Sequence, residues 1–424
     1  MPIREVIRPP GFATPHPSFS PAVRYGRWVF VSGIMATDFA DGIAPEARGN
    51  PAVPLAGEHA MVRESRHLFK LMHQVLEASG ARIEDAVRID QFPTSRAMVD
   101  QYHIERREII KPPRPASTSV VITGLMAPDC NTEVELIAIR PEPGFVKEGV
   151  NTDKIPQPQG GYAPAIRAGD FVFVSGQVPT DFRTGLAPET IVHPNFWEGN
   201  AIDRQARFTL QNLALTLEAA GSSMANVVKA NVYLTDLEDI PRLDRVWREF
   251  FPIDPPARTI MPVTSIVVPD SRIEITFVAV RDQGATRKEV IRSGNAPAPI
   301  FHESQAIRAG EFVFLSNLLA ADAGGLVPSA RINPKFPYTV NSPAAQMEAI
   351  MKHAEAICVA AGTGLRQGLR LLTQHTDLRD YASAVPLRRP YFPDGQPATT
   401  TIQVPGPLQI PGCTISVDLW VGVP

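Results

Sequence analysis

A chain of 424 residues, 44% of them hydrophobic and 20% charged, is long enough to bury more than one core and too apolar to stay disordered. Its formal net charge of -3 and its lack of any long run of like charges exclude the electrostatic footprint of polyphosphate binding, so nucleic acid is not an expected partner. The opening residues MPIREVIRPPGF have no signal-peptide core and no stretch is apolar enough to span a bilayer, so a cytoplasmic protein with no membrane partner is expected.

Taken in chain order, the first strong pattern is AVRYGRWVFVSGIMATD at residues 22–38. It returns as AIRAGDFVFVSGQVPTD at 165–181 and as AIRAGEFVFLSNLLAAD at 306–322. The anchors Ser32, Ser175 and Ser316 are 143 and 141 residues apart, which is the period of a domain and not of a solenoid repeat.

After each anchor come a polar loop and an amphipathic helix. Leu68, Leu71, Met72 and Val75 fall at i, i+3, i+4 and i+7, as do Leu210, Leu213, Ala214 and Leu217, and Met347, Ile350, Met351 and Ala354. Gly80, Gly221 and Gly362 follow, where a left-handed C-cap is wanted. A β-branched strand such as VVKANVYL comes next, and then a second helix with Leu243, Val246, Trp247 and Phe250 on one face. Pro386 and Pro390 interrupt that helix in the third copy. Paired strands such as RIEITFVAV close each copy.

The spacing from the capping glycine to the residue after the next Pro-Ala is 37 in all three copies, ending at Ser117, Arg258 and Thr399. This order predicts α+β domains at 1–146, 147–286 and 287–424, each a sheet with helices on one face. The Pro- and Gly-containing stretches 141–161 and 282–300 read as linkers. Packing the three bare sheet faces together predicts an intramolecular pseudo-trimer, sheets inside and helices outside, and leaves open whether two such units stack as a further homo-oligomer.

Cys130, Cys358 and Cys413 are an odd number with no C-x-x-C, which favours reduced thiols over a disulfide framework or a structural zinc site. The histidines form no H-x-x-x-H, and Glu64 to His67 is an isolated E-x-x-H, so no metal is expected.

FVFVSGQVPTD, LEAAGSSMANVVKANVYLTDLED, PPARTI and IEITFVAV resemble the YjgF/RidA family of enamine/imine deaminases, whose members are about one such repeat long and form homotrimers. The resemblance implies a chorismate-mutase-like α+β fold with ligand clefts between neighbouring units. It also implies a site made of an arginine after Pro-Ala, a glutamate in the last strand, a tyrosine ahead of the Ser-Gly strand and the Ser-Gly amides. In the second copy these are Arg258, Glu274, Tyr162, Ser175 and Gly176. The first copy has Ser117, Glu133 and Phe19; the third has Thr399, Glu303 and, at the acid position, Ser416, or Val417 or Asp418 with a slipped register. Only the middle copy holds the full set.

Asp244 stands where the family has an asparagine and is assigned to substrate binding; Ile260 stands where many members have cysteine. Asn317 replaces the glycine of Ser-Gly in the third copy, as expected if close backbone approach is needed only where a ligand binds.

These residue types suit hydrolysis of a 2-imino or 2-amino-2-enoate carboxylate to the 2-oxo acid and ammonia. Arg258 would grip the carboxylate through two parallel donors, Glu274 would move protons as general acid and base, and Tyr162 would hydrogen-bond substrate or water. Imines are reactive enough that no cofactor is called for. Fusion frees each unit from symmetry, so a larger 2-aminomuconate-type dicarboxylate from aromatic degradation is the favoured substrate. Arg96, His103, His375 and Arg379 lie on elements that could face a cleft. The competing readings are Arg258 and Glu274 as a structural ion pair, a carboxylate-binding module without turnover, and a chorismatase-like hydrolase.

Overall fold

The computed structural model describes residues 2–50, 52–53, 56–158, 160–193, 195 and 200–424. In the first segment, strands β1 (Arg4–Ile7), β2 (Ala22–Tyr25) and β3 (Trp28–Ile34) precede α1 (Ala60–Ala78). They are followed by β4 (Ala86–Pro93), α2 (Val99–Ile109), β5 (Ala116–Val121), β6 (Gly124–Leu125) and β7 (Thr132–Ile139). The second segment repeats this series as β8 (Lys147–Val150), β9 (Ala165–Ala168), β10 (Phe171–Gln177), α3 (Ala201–Ala219), β11 (Val227–Leu234), α4 (Ile240–Phe250), β12 (Ala257–Pro262), β13 (Ser265–Ile266) and β14 (Ile273–Val280).

The third opens with β15 (Lys288–Ile291), β16 (Ala306–Ala309) and β17 (Phe312–Leu315). Three two-residue strands, β18 (Leu318–Leu319), β19 (Ala321–Asp322) and β20 (Gly325–Leu326), lead to α5 (Ser342–Ala360). It ends with β21 (Gly368–His375), α6 (Tyr381–Arg388), β22 (Ala398–Gln403) and β23 (Ile415–Gly422).

The long helices α1, α3 and α5 are each 19 residues, and their predicted stripes are buried apart from half-buried Leu71 and Ala214. Each gives way to its glycine at positive φ, 75° at Gly80, 70° at Gly221 and 75° at Gly362, the backbone region that glycine enters without steric cost. Helix α6 is 8 residues long against 11 for α2 and α4 and contains Pro386, so the interruption shortens the element without abolishing it.

Two stretches expected to be linkers are part of the sheets. β8 pairs with β9 and β15 with β16, each an added edge strand that a short polar sequence such as Lys147–Val150 did not announce. The sheet orders are β1-β2-β3-β7-β4-β5-β13, β12-β11-β14-β10-β9-β8 and β15-β16-β17-β23-β21-β22-β6. Pairing is antiparallel except for β4 with β5, β11 with β12 and β21 with β22, the pairs whose connection crosses over through the second helix.

Two sheets borrow an edge strand from another segment: β13 pairs with β5, and β6 with β22. At the remaining edge, β12 instead receives a side-chain bond from Gln409 Nε2 to the Ile260 carbonyl at 2.6 Å. The side of each sheet away from its helices joins one apolar cluster. There the first residues of β3, β10 and β17 meet, with ring centroids 5.6 Å apart for Trp28–Phe171, 5.4 Å for Trp28–Phe312 and 5.2 Å for Phe171–Phe312. Equivalent positions of all three segments thus touch one another. The three cysteines are buried free thiols.

Candidate functional site at the segment junctions

Each junction apposes the strand after the second helix of one segment to the Ser-Gly strand of another, and the anchor serine fastens them. Ser175 Oγ donates to the Ala163 carbonyl at 2.6 Å and accepts the Ser117 amide at 3.0 Å. Ser316 Oγ accepts the Arg258 amide at 2.8 Å, and Ser32 Oγ the Thr399 amide at 2.7 Å. Ser175, assigned from sequence to substrate binding, therefore has its hydroxyl engaged in holding two segments together.

This arrangement splits the set found in the middle copy. Arg258 lies on the edge strand β12 and faces the third segment. Glu274 lies on β14, beside β10, and faces the first. The two do not meet. Arg258 is fully buried between carboxylates, Nη1 lying 2.7 Å from Asp244 Oδ1 and Nε 3.2 Å from Glu303 Oε2, with its guanidinium carbon 5.0 Å from the Trp247 ring centre. Asp244 is thus Arg258's counterion, and the space next to this junction is only about 70 Å³. Arg258 as carboxylate anchor beside Glu274 is overturned by geometry. In a trimer of identical chains the two groups would meet from different subunits, whereas unlike segments bring different partners to each face.

Glu274, Tyr162 and Gly176 instead line a cleft of about 610 Å³ between the first and second segments, with His103, Arg107, Ser117, Thr118 and Ser119 on its other wall. Thr118 Oγ1 donates to Glu274 Oε1. Burial pushes the Glu274 carboxyl up to about 8, against the lowering effect of the Thr118 bond. Burial, aided by Glu274, also pushes the Tyr162 hydroxyl up. Burial and then Arg106 and Arg107 hold His103 well below its ordinary value, as a neutral ring; its Nε2 is 3.0 Å from Ser119 Oγ.

The guanidinium of this cleft comes from α2. Arg106 is buried behind the wall, Nη1 bonded to Ser117 Oγ and Nη2 3.4 Å from the Gly160 carbonyl. No carboxylate pairs with it among the described residues. Arg107, beside it, lines the cleft and makes no side-chain bond to a described residue. Arg106 was missed in the sequence, yet the 141-residue period carries it: positions 106, 247 and 388 read Arg, Trp, Arg, where 117, 258 and 399 read Ser, Arg, Thr. The cation moves from strand to helix in two copies.

The register of β21 against β23 pairs Gln374 with Ser416 as β11 and β14 pair Tyr233 with Glu274, which fixes Ser416 as the third acid position. It also corrects the reading of Asn317. A Cβ on Gly176 would collide with Glu274 Oε1 and Thr118 Oγ1, and one on Gly33 with Glu133. Glycine is required wherever the glutamate is present, and Ser416 leaves room for Asn317. Arg96 lines another surface depression beside Thr264–Arg272, and exposed Arg379 is bound to Asp377. Among the described residues no three His, Cys, Asp or Glu side chains come together as metal ligands, and no helix is long and apolar enough to cross a membrane.

Comparison with known proteins matches the first and second segments to one family. The sequence profile of the family described as endoribonuclease L-PSP matches residues 13–140 and again 152–281. A RutC family protein of Pyrococcus horikoshii is 36% identical over 137 residues, 32% of this chain and 100% of the relative. A 2-iminobutanoate/2-iminopropanoate deaminase of Dermatophagoides farinae is 31% identical over 134 residues, 32% of this chain and 96% of the relative. The chloroplastic Reactive Intermediate Deaminase A of Arabidopsis thaliana is 32% identical over 133 residues, 31% of this chain and 65% of the relative. The chain belongs to the endoribonuclease L-PSP family, the YjgF/RidA group, and carries its domain in tandem.

Proposed function

We propose that this protein is an imine and enamine deaminase working at the cleft between its first and second segments, within a pseudo-trimer formed by three family units of one chain. The observation that carries the reading is Glu274, a buried carboxyl held protonated near neutrality at the wall of an open cleft. The names of the deaminase relatives support the reaction class, and the meeting of Trp28, Phe171 and Phe312 supports the pseudo-trimer.

The substrate carboxylate binds toward Arg107 and the Ser117 and Ser119 hydroxyls, in the positive field of Arg106 behind them. Glu274 gives its proton to the imine nitrogen, and water adds to the carbon and returns a proton to Glu274. Protonation of the amine then expels ammonia as the C=O forms, and the carbonyl proton restores the acid. Tyr162 hydrogen-bonds the water or the nitrogen. Two arginines beside one cleft of this size suit a dicarboxylate, and we assign a 2-aminomuconate-type dicarboxylate as the preferred substrate.

Ammonia release from an enzymatically generated 2-imino acid tests the reading. Wild type accelerates it and Glu274→Gln does not; equal rates in the two would refute the assignment.

A further inference from the structure

Three threonines stand at one repeated position in the strand after each second helix: Thr118 in β5, Thr259 in β12 and Thr400 in β22. All three are buried, and each is engaged differently. Thr118 Oγ1 donates across the junction to Glu274 Oε1. Thr259 Oγ1 accepts Lys229 Nζ at 2.8 Å. Thr400 Oγ1 donates to Glu135 Oε2 at 2.6 Å.

The two glutamates at the repeated acid position therefore differ, although both are buried against the glycine of a Ser-Gly strand. Glu274 has a hydroxyl partner from the neighbouring segment. Glu133 has a main-chain partner, Thr401, and its Oε2 has none. The cause lies two residues further along the same strands. Register sets Glu135 opposite Asp90, Thr276 opposite Asn231 and Asp418 opposite Leu372. The Glu135 carboxyl takes the Thr400 hydroxyl, so Glu133 goes without it. Thr276 offers no carboxyl and accepts Arg88 Nη2 at 2.9 Å, which leaves Thr118 to Glu274.

A threonine hydroxyl has one hydrogen to donate. Glu274 Oε1 is the acceptor that Thr118 finds among the described residues, so Oε1 takes the carbonyl role and the acid proton sits on Oε2. Oε2 makes no hydrogen bond to a described residue, and Glu274 lines the cleft. We propose that Thr118 is a positioning residue that fixes the proton of Glu274 on Oε2, the oxygen from which the imine nitrogen takes it, and that Thr276 permits this by leaving Thr118 uncontested. As the O–H bond at Oε2 breaks and the N–H bond forms, the charge left on the carboxylate strengthens the Thr118 bond. The inference rests on the deaminase reading of this cleft. Asp90 and Arg88 also act on Glu274, and Tyr162, His103 and Arg107 share its cleft.

Thr118→Val keeps the side-chain shape and removes the hydrogen. In ammonia release from an enzymatically generated 2-imino acid it is expected to lose at least about tenfold in kcat, with KM within about twofold of wild type. Because the Thr118 bond lowers the Glu274 pKa, the alkaline limb of the pH profile moves to higher pH in this variant. Thr118→Ser restores both the rate and the limb. Thr400→Val, the same change beside the other glutamate, keeps kcat/KM within about twofold of wild type. An active wild type matched by Thr118→Val in rate and limb would overturn the positioning role, as would equal losses in Thr118→Val and Thr400→Val. Absence of ammonia from wild type would refute the deaminase reading and not the bond. The bond is read without turnover in the infrared difference between wild type and Glu274→Gln at neutral pH, which isolates the Glu274 carboxyl C=O stretch. A frequency lowered by an accepted hydrogen bond supports the assignment, and a free carbonyl overturns it, even where Thr118→Val does not fold.

Discussion

Glu274 combines a polar wall with a dry environment, and its protonation gives the chemistry a direction. With the carboxyl raised to about 8 by burial, the acid form dominates at neutral pH, so kcat/KM is expected to fall above about pH 8, by about tenfold per unit. A pH-rate profile checks this, and in Glu274→Gln that limb disappears. The same shift bears on stability. A carboxyl whose folded pKa is raised favours folding below its unfolded pKa and loses that contribution as pH rises toward about 8. Glu274→Gln therefore destabilises less, relative to wild type, at pH 9 than at pH 5 in denaturant titrations.

Beside it, Gly176→Ala pushes a methyl into Glu274 and Thr118 and is expected to lower both Tm and kcat/KM. Asn317→Gly, where Ser416 leaves space, is expected to leave kcat/KM unchanged. Arg258 answers to a different test. Removing it strands Asp244 and Glu303 at a buried position, a loss of about 3–5 kcal/mol for a broken buried pair. Arg258→Ala is expected to show that loss in a denaturation curve while a folded fraction retains deaminase activity, the reverse of an anchoring residue.

Among the elements, the second helix varies most in role. α4 presents Trp247 and lets β12 carry the arginine, whereas α2 and α6 carry Arg106 and Arg388 themselves. The repeat made the helices, their capping glycines and the Ser-Gly strands legible, because apolar periodicity and a constant spacing of 37 are properties of sequence alone. It hid the partner of each side chain. Arg258 and Glu274 sit 16 residues apart in sequence, yet they lie on strands facing opposite neighbours, and no pattern within one copy records which neighbour that is. The edge strands β8 and β15 were hidden for a related reason, since a four-residue polar strand is held by its pairing and not by its composition. Ser175→Ala removes the acceptor for the Ser117 amide and is expected to cost about 1–3 kcal/mol, the penalty for a buried donor left unsatisfied, as read in urea unfolding.

Across the whole molecule, the segments are joined by charge as well as by apolar packing. Lys229 of the second reaches Asp418 of the third at 2.8 Å, Arg370 lies 3.1 Å from Asp418 and bonds Glu135 of the first, and Arg88 of the first bonds Thr276 of the second at 2.9 Å. These groups are all buried, so their geometry fixes which segments adjoin. Asp418→Asn leaves Lys229 and Arg370 short of a charge and is expected to destabilise by about 3–5 kcal/mol, with calorimetry as the check. The three junctions differ: one holds an open cleft, one is closed by carboxylates, and one holds Arg388, whose Nε and Nη1 have no hydrogen-bond partner among the described residues.

The most direct measurement compares kcat/KM for ammonia release from a 2-imino acid in Glu274→Gln and Glu133→Gln. The account predicts a fall of about 10²- to 10⁴-fold in the first and a change of less than about threefold in the second. Equal losses, or loss in Glu133→Gln alone, would contradict a working site at the junction of the first and second segments.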